Sequence, residues 1–118
     1  RPCRVSAIPL LSDAQIFHGS LYGREATQTP ASIYHVLEKS YRQRGVGDFY
    51  SHMLVAMGCG ELALDFGLKY WDKAPIGIII DEAGGTCTDY DGLVSSQHHS
   101  VVSSNGLFHE SIIKLLNR

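Results

Sequence analysis

Short apolar segments with strand-like alternation lie between longer segments of helical period. The strand-like segments cover residues 5–11, 14–18, 61–66, 86–90 and 101–102. The third is the most regular, because large apolar side chains at alternate positions from Leu62 onward are separated by Ala63 and Asp65. Asp65 is therefore expected on the less apolar face of its strand.

The first helical segment has clear signals at both ends. Thr29 is suited to cap a helix, and Pro30 is suited to its first position. Apolar side chains recur at helical spacing through residues 33–41, and Arg42 and Arg44 would occupy the last turn before Gly45. This pattern predicts an amphipathic surface helix over residues 30–45.

Three further helices are predicted, over residues 49–57, 71–83 and 107–116. The first of these is apolar nearly all round, which predicts that it is buried. The second ends at Gly84 and Gly85, and Pro75 is placed in its first turn. Strands alternating with helices predict one α/β domain, with a mixed β-sheet layered with α-helices.

Composition and charge exclude several classes of protein. The 118 residues carry a formal net charge of -2, which disfavours binding to nucleic acid. The sequence contains no apolar run long enough to predict a membrane segment, and no targeting signal is visible. Cys3, Cys59 and Cys87 are far apart and odd in number, so no disulfide framework within one chain is expected, and reduced thiols indicate the cytoplasm. The chain starts at Arg1 within an apolar pattern, so we expect further sequence upstream.

Two glycines precede the helix over residues 49–57. Gly45 and Gly47 could present free backbone N–H groups to a phosphate, but the spacing matches neither a dinucleotide fingerprint nor a P-loop. A simple glycine turn, with Asp48 capping the helix, explains the same residues.

Carboxylates elsewhere leave similar alternatives open. Asp72 stands at the start of a helix, where it could cap free N–H groups or bind a metal ion. Asp65 could be merely solvated. The acidic run from Asp89 to Gly92 lacks the spacing of an EF-hand and predicts a turn. The histidines are scattered and support no nucleophilic site; they are His18, His35, His52, His98, His99 and His109.

Several motifs in a fixed order resemble the C-terminal half of the inositol monophosphatase superfamily. They are Gly47-Asp48-Phe49-Tyr50, Trp71-Asp72, Asp81-Glu82-Ala83-Gly84-Gly85, Thr88-Asp89 and the segment 101–105 before the last helix. The first motif is more similar to the histidinol-phosphate phosphatase branch than to the inositol branch, where a small residue is expected in place of Asp48.

This resemblance implies the C-terminal part of a sugar-phosphatase fold in a Mg²⁺-dependent phosphomonoesterase. It implies that Asp72 is a metal ligand and that Gly47, Asp48 and Asp65 line the substrate pocket. The family's upstream glutamates and its Asp-Pro-Ile/Leu-Asp-Gly motif are not found in these 118 residues. Residues 1–118 are therefore expected to form a substrate-side subdomain that is inactive alone and lacks the N-terminal half with most Mg²⁺ ligands.

The expected activity is that of a histidinol-phosphatase of histidine biosynthesis, acting on a small phosphorylated substrate in a cytoplasmic homodimer. An inositol monophosphatase, or another sugar or nucleotide phosphatase of the superfamily, is the alternative within the same class. A non-catalytic remnant that acts in assembly or regulation is the alternative from another class.

Overall fold

A mixed five-stranded sheet forms the centre of the molecule. The computed structural model describes residues 3–19, 21, 29–46, 48–66, 70–94 and 100–118. The strands are β1 (Gln15–His18), β2 (Arg42–Gly45), β3 (Leu62–Phe66), β4 (Thr86–Thr88) and β5 (Ser100–Ser104), in the order β2-β1-β3-β5-β4. β1 runs parallel to β2 and β3, whereas β5 is antiparallel to β3 and β4. The predicted α/β class is confirmed.

Helices cover both faces of this sheet. They are α1 (Ile33–Lys39), α2 (Asp48–Ala56), α3 (Tyr70–Glu82) and α4 (His109–Leu116). α1 and α4 share one apolar cluster with Leu62 and Leu64, and α2 and α3 share the other with Ala63. The alternation predicted for β3 is therefore confirmed, although its less apolar face is covered by α2 and α3. Among the described residues, no helix has the length and apolarity needed to span a membrane.

The strand expected over residues 5–11 is wrong. The segment lies outside the sheet and leads into a short 3-10 helix, Leu11–Asp13. Pro9 has no N–H to donate to a strand ladder, and the N–H of Val5 donates instead to Ala83 O at 3.0 Å. The segment therefore lies beside the end of α3.

The first helix is shorter than expected, because residues 42–45 form the edge strand β2. Ser40 ends α1 in an extended conformation, and its hydroxyl donates to Leu37 O at 2.7 Å. The N–H groups of Tyr41 and Arg42 then donate to Ala14 O, beside β1. All four residues of β2 are exposed, so the strand lacks the alternation by which sequence reveals a strand.

Two details of the next helices also differ from expectation. α2 is only half-buried, since Phe49 is 41% exposed and Tyr50 is 61% exposed. Pro75 lies in the second turn of α3 rather than the first. The end of α3 is as expected, because Gly84 has a positive φ of 91° and Gly85 lies directly against Ser104 O of β5.

Candidate functional site

The carboxyl ends of the three parallel strands lie together at one edge of the sheet. After β2, the N–H of Val46 donates to His18 O at 3.1 Å, and after β1 the N–H of Gly19 donates to Leu64 O at 3.3 Å. α2 begins just beyond β2, and α3 begins just beyond β3. Ligands of open α/β sheets bind outside the carboxyl ends of the strands, so this edge is the candidate site.

The predicted site residues are distributed along this edge. Asp65 belongs to β3, Asp48 is the first residue of α2, and Asp72 is in the first turn of α3. The side chains of Asp48 and Asp72 lie outside the described part of the structure, as does all of Gly47. Their predicted roles therefore stay predictions.

Asp65 is buried between the sheet and α2, which excludes the alternative of a merely solvated carboxylate. Its exposed fraction is 6%. Oδ2 accepts a hydrogen bond from His52 Nε2 at 2.8 Å and a longer one from Ser51 Oγ at 3.4 Å. Oδ1 lies against Gly19, where an added Cβ would be 2.8 Å away. The carboxylate thus bridges the interior of α2 and the end of β1.

His52 has hydrogen-bond partners at both ring nitrogens. It is fully buried, and Nδ1 lies 2.8 Å from Ser103 Oγ of β5. Because an ionised carboxylate only accepts, the Nε2 atom carries the proton directed at Asp65. His52 was missed in the sequence because its partners are distant along the chain. One signal in the sequence does indicate that His52 is buried. The residue lies one helical turn before Val55 and Ala56, on the apolar face of α2.

Ser103, His52 and Asp65 are the residue types of a nucleophilic triad, but they do not form such a site. Ser103 and His52 have no exposed surface, so no substrate can reach the hydroxyl. The chemical consequence of the arrangement is a carboxylate held in one orientation.

The described residues do not by themselves form a metal centre. Nowhere in the described ranges do three His, Cys, Asp or Glu side chains lie close enough to hold one ion. Oδ2 of Asp65 is occupied by His52. The described side chains at this edge therefore supply no complete set of metal ligands, and the role predicted for Asp72 stays a prediction.

The remaining sequence candidates lie elsewhere in the structure. The run from Asp89 to Gly92 forms the expected turn, because Asp89 Oδ1 accepts from the N–H groups of Asp91 and Leu93 and Gly92 has a φ of 87°. His98 and His99 lie outside the described residues. The three cysteines form no disulfide, as expected.

His109 is a second buried histidine with two hydroxyl partners. Nδ1 lies 2.7 Å from Ser104 Oγ, and Nε2 lies 2.8 Å from Thr88 Oγ1. Because Thr88 donates its own hydrogen to Asp89 O, it accepts from Nε2. Desolvation by burial lowers the pKa of His109 below its usual value of 6.5, against a smaller opposing effect of Glu110. The lowered pKa favours the neutral ring, and the hydrogen bond to Thr88 favours its Nε2–H tautomer.

Two curated relatives match nearly the whole chain. The histidinol-phosphatase of Streptomyces coelicolor is 35% identical over 97% of this chain, and that of Mycobacterium tuberculosis is 34% identical over 99%. These matches cover 43% and 46% of the two relatives. The chain thus spans less than half the length of either.

Solved structures show the same fold. The inositol monophosphatase of Anabaena superposes with a TM-score of 0.86 at 26% identity, covering 99% of this chain and 50% of that one. An IMPase/NADP phosphatase complexed with Mg²⁺ and phosphate has a TM-score of 0.74 at 23% identity, with 98% and 42% covered. The model of the inositol monophosphatase family matches residues 1–118. With this match over its whole length, the chain belongs to the inositol monophosphatase family.

Proposed function

We propose that residues 1–118 form the C-terminal, substrate-side subdomain of a Mg²⁺-dependent phosphomonoesterase that hydrolyses histidinol phosphate. The observation that carries the proposal is the match of nearly the whole chain to two histidinol-phosphatases. The position of three aspartates at one edge of the sheet supports it.

The chemistry of the substrate favours an acidic pocket. Histidinol phosphate carries an ammonium group and an imidazole, whereas inositol phosphate offers only neutral hydroxyls beyond its phosphate. A hydrogen bond between an ammonium and a carboxylate contributes about 1.5 to 3 kcal/mol. We assign this contact to Asp48 and to Oδ1 of Asp65, with Gly47 lining the same pocket.

Asp72 is the proposed metal ligand of this chain. When bound, Mg²⁺ activates water and stabilises the leaving oxygen of a phosphate ester. Because the described side chains hold no complete site, the other ligands are assigned to an N-terminal half of the protein. The 118-residue chain alone is accordingly expected to be inactive. A homodimer in the cytoplasm, serving histidine biosynthesis, is the expected setting.

Inositol monophosphatase activity is the second candidate function. The inositol monophosphatase 1 of Bos taurus is 40% identical over 76 residues, although these cover only 60% of this chain. The smaller share of the chain makes it the weaker alternative.

The test is release of phosphate from histidinol phosphate by the whole protein that contains this chain. We expect hydrolysis that requires Mg²⁺ and stops when the ion is chelated. Hydrolysis of inositol phosphate alone would support the second candidate. Release from neither substrate would refute both candidates and favour another phosphatase of the superfamily or a non-catalytic remnant.

A further inference from the structure

We propose that His52 is a positioning residue that orients Asp65 toward the substrate without touching the substrate itself. This inference rests on the proposed function, because it assumes that Asp65 contacts the ligand. It assigns a role to a buried side chain that lies behind the site.

The orientation of Asp65 depends on which of its oxygens is occupied. The terminal torsion of an aspartate is broad, so a carboxylate without a fixed partner samples many orientations. His52 Nε2 holds Oδ2 at 2.8 Å on the α2 side. Oδ1 is thereby directed to the end of β1, where Gly19 has no side chain to displace it.

His52 is itself fixed by the strand beyond Asp65. Ser103 Oγ lies 2.8 Å from Nδ1, and the imidazole has no exposed surface. Ser103 of β5 and Asp65 of β3 therefore hold the two ring nitrogens. A buried polar group held by two partners in this way is restricted to one orientation. A site needs such support to keep a contact group within about 0.5 Å of its working position.

Two substitutions at the same position separate positioning from packing. The amide nitrogen of His52→Gln can take the place of Nε2 and keep the bond to Asp65. The asparagine side chain of His52→Asn is shorter, so its amide nitrogen takes the place of Nδ1 and keeps only the bond to Ser103. Both variants replace the same buried imidazole with a smaller polar amide. Both should therefore lower the melting temperature.

The kinetics of the whole protein distinguish the two variants. We expect His52→Asn to raise the KM for histidinol phosphate about tenfold and the KM for inositol 1-phosphate much less. The KM values of His52→Gln should stay close to those of the wild type. His109→Asn is the matched control, because His109 is also buried between two hydroxyls but lies at α4, away from Asp65. It should lower the melting temperature and leave the KM unchanged.

Several results would overturn the proposal. They are equal losses in the Asn and Gln variants, equal losses on both substrates, and a KM change in the His109 control. A wild-type protein that hydrolyses neither ester refutes the proposed function, and the positioning role with it. If the wild-type protein is active but the His52 variants lose the same amount on both substrates, only the positioning role is refuted.

A second measurement needs no variant and no turnover. The NMR signal of the His52 Nε2–H reports the charge and position of Asp65 Oδ2 directly. We expect it to shift when histidinol is added to the whole protein at a concentration that inhibits hydrolysis. An unchanged signal would show that Asp65 does not respond to the ligand, and would overturn the proposal even if no His52 variant folds.

Discussion

Asp65 Oδ1 faces the backbone of Gly19 across the ends of β3 and β1, at a spacing that leaves no room for a side chain on Gly19. An added Cβ would lie 2.8 Å from that oxygen, closer than unstrained atoms approach. The two residues are far apart in sequence, but the parallel pairing of His18 with Leu64 brings them together. The candidate site thus depends on a glycine that no family motif singled out.

Replacing Gly19 with alanine should therefore disturb substrate binding through Asp65. The new methyl group displaces the carboxylate, so we expect the KM of the whole protein for histidinol phosphate to rise several-fold, or about 1 kcal/mol. Steady-state kinetics test this. Gly77→Ala is the control, because an added Cβ on Gly77 meets nothing within 4 Å. A KM unchanged in Gly19→Ala would show that Asp65 Oδ1 does not contact the substrate.

Asp72→Asn should lower kcat strongly. Under the proposed function Asp72 binds the metal ion, so its neutralisation removes charge from the group that stabilises the leaving oxygen, and we expect a loss of about a hundredfold. Asp81→Asn is the control, since Asp81 is an exposed carboxylate near the other end of α3. Full activity of Asp72→Asn at saturating Mg²⁺ would mean that Asp72 only caps its helix.

Gly85→Ala should destabilise the protein more than Gly84→Ala. A Cβ on Gly85 collides with Ser104 O in the backbone of β5, which cannot move aside, and we expect a loss of about 3 kcal/mol. Gly84 has a positive φ but open space around it, so its substitution should cost about 1 kcal/mol. Urea unfolding of both variants measures the difference. Equal losses would contradict the packing of Gly85 against β5.

His109 should make the protein less stable in acid. Its pKa is lowered in the folded state, so below pH 6.5 the unfolded chain binds a proton that the folded chain does not. This contribution is fully present above pH 6.5 and is lost as the pH falls toward the folded-state pKa. His109→Gln should therefore show a shallower fall of the unfolding free energy between about pH 7.5 and pH 5. Parallel curves for wild type and variant would contradict the assignment.

The elements that can be predicted from the sequence are those whose periodicity reflects burial on one face. β3 was found because its large apolar residues alternate, and α3 because its glycine end is explicit. The sequence does not predict β2, because an exposed edge strand carries no apolar alternation, and Arg42 and Arg44 equally suit the last turn of a helix. The strand expected over residues 5–11 failed for the opposite reason, since apolar residues without a neighbouring strand simply pack against the end of α3.

The contacts that support Asp65 could not be predicted from the sequence, and the roles of the three aspartates stay predictions. Asp48, Asp65 and Asp72 were identified through a family resemblance, and the parallel strand ends explain why such distant positions share an edge. The burial of Asp65 was not foreseen, because a strand pattern cannot show which helix covers its second face. For the same reason the sequence does not connect His52 with Ser103, although the fold places both in line with Asp65.

Substrate discrimination by the whole protein tests the central claim most directly. The measurement is kcat/KM for histidinol phosphate and for inositol 1-phosphate, in the wild type and in Asp48→Ala. We predict that the wild type prefers histidinol phosphate and that Asp48→Ala raises the KM for this substrate about tenfold, with a smaller effect on the neutral ester. Equal losses on both substrates, or a lowered melting temperature with unaltered kinetics, would contradict the account and favour an inositol-type phosphatase.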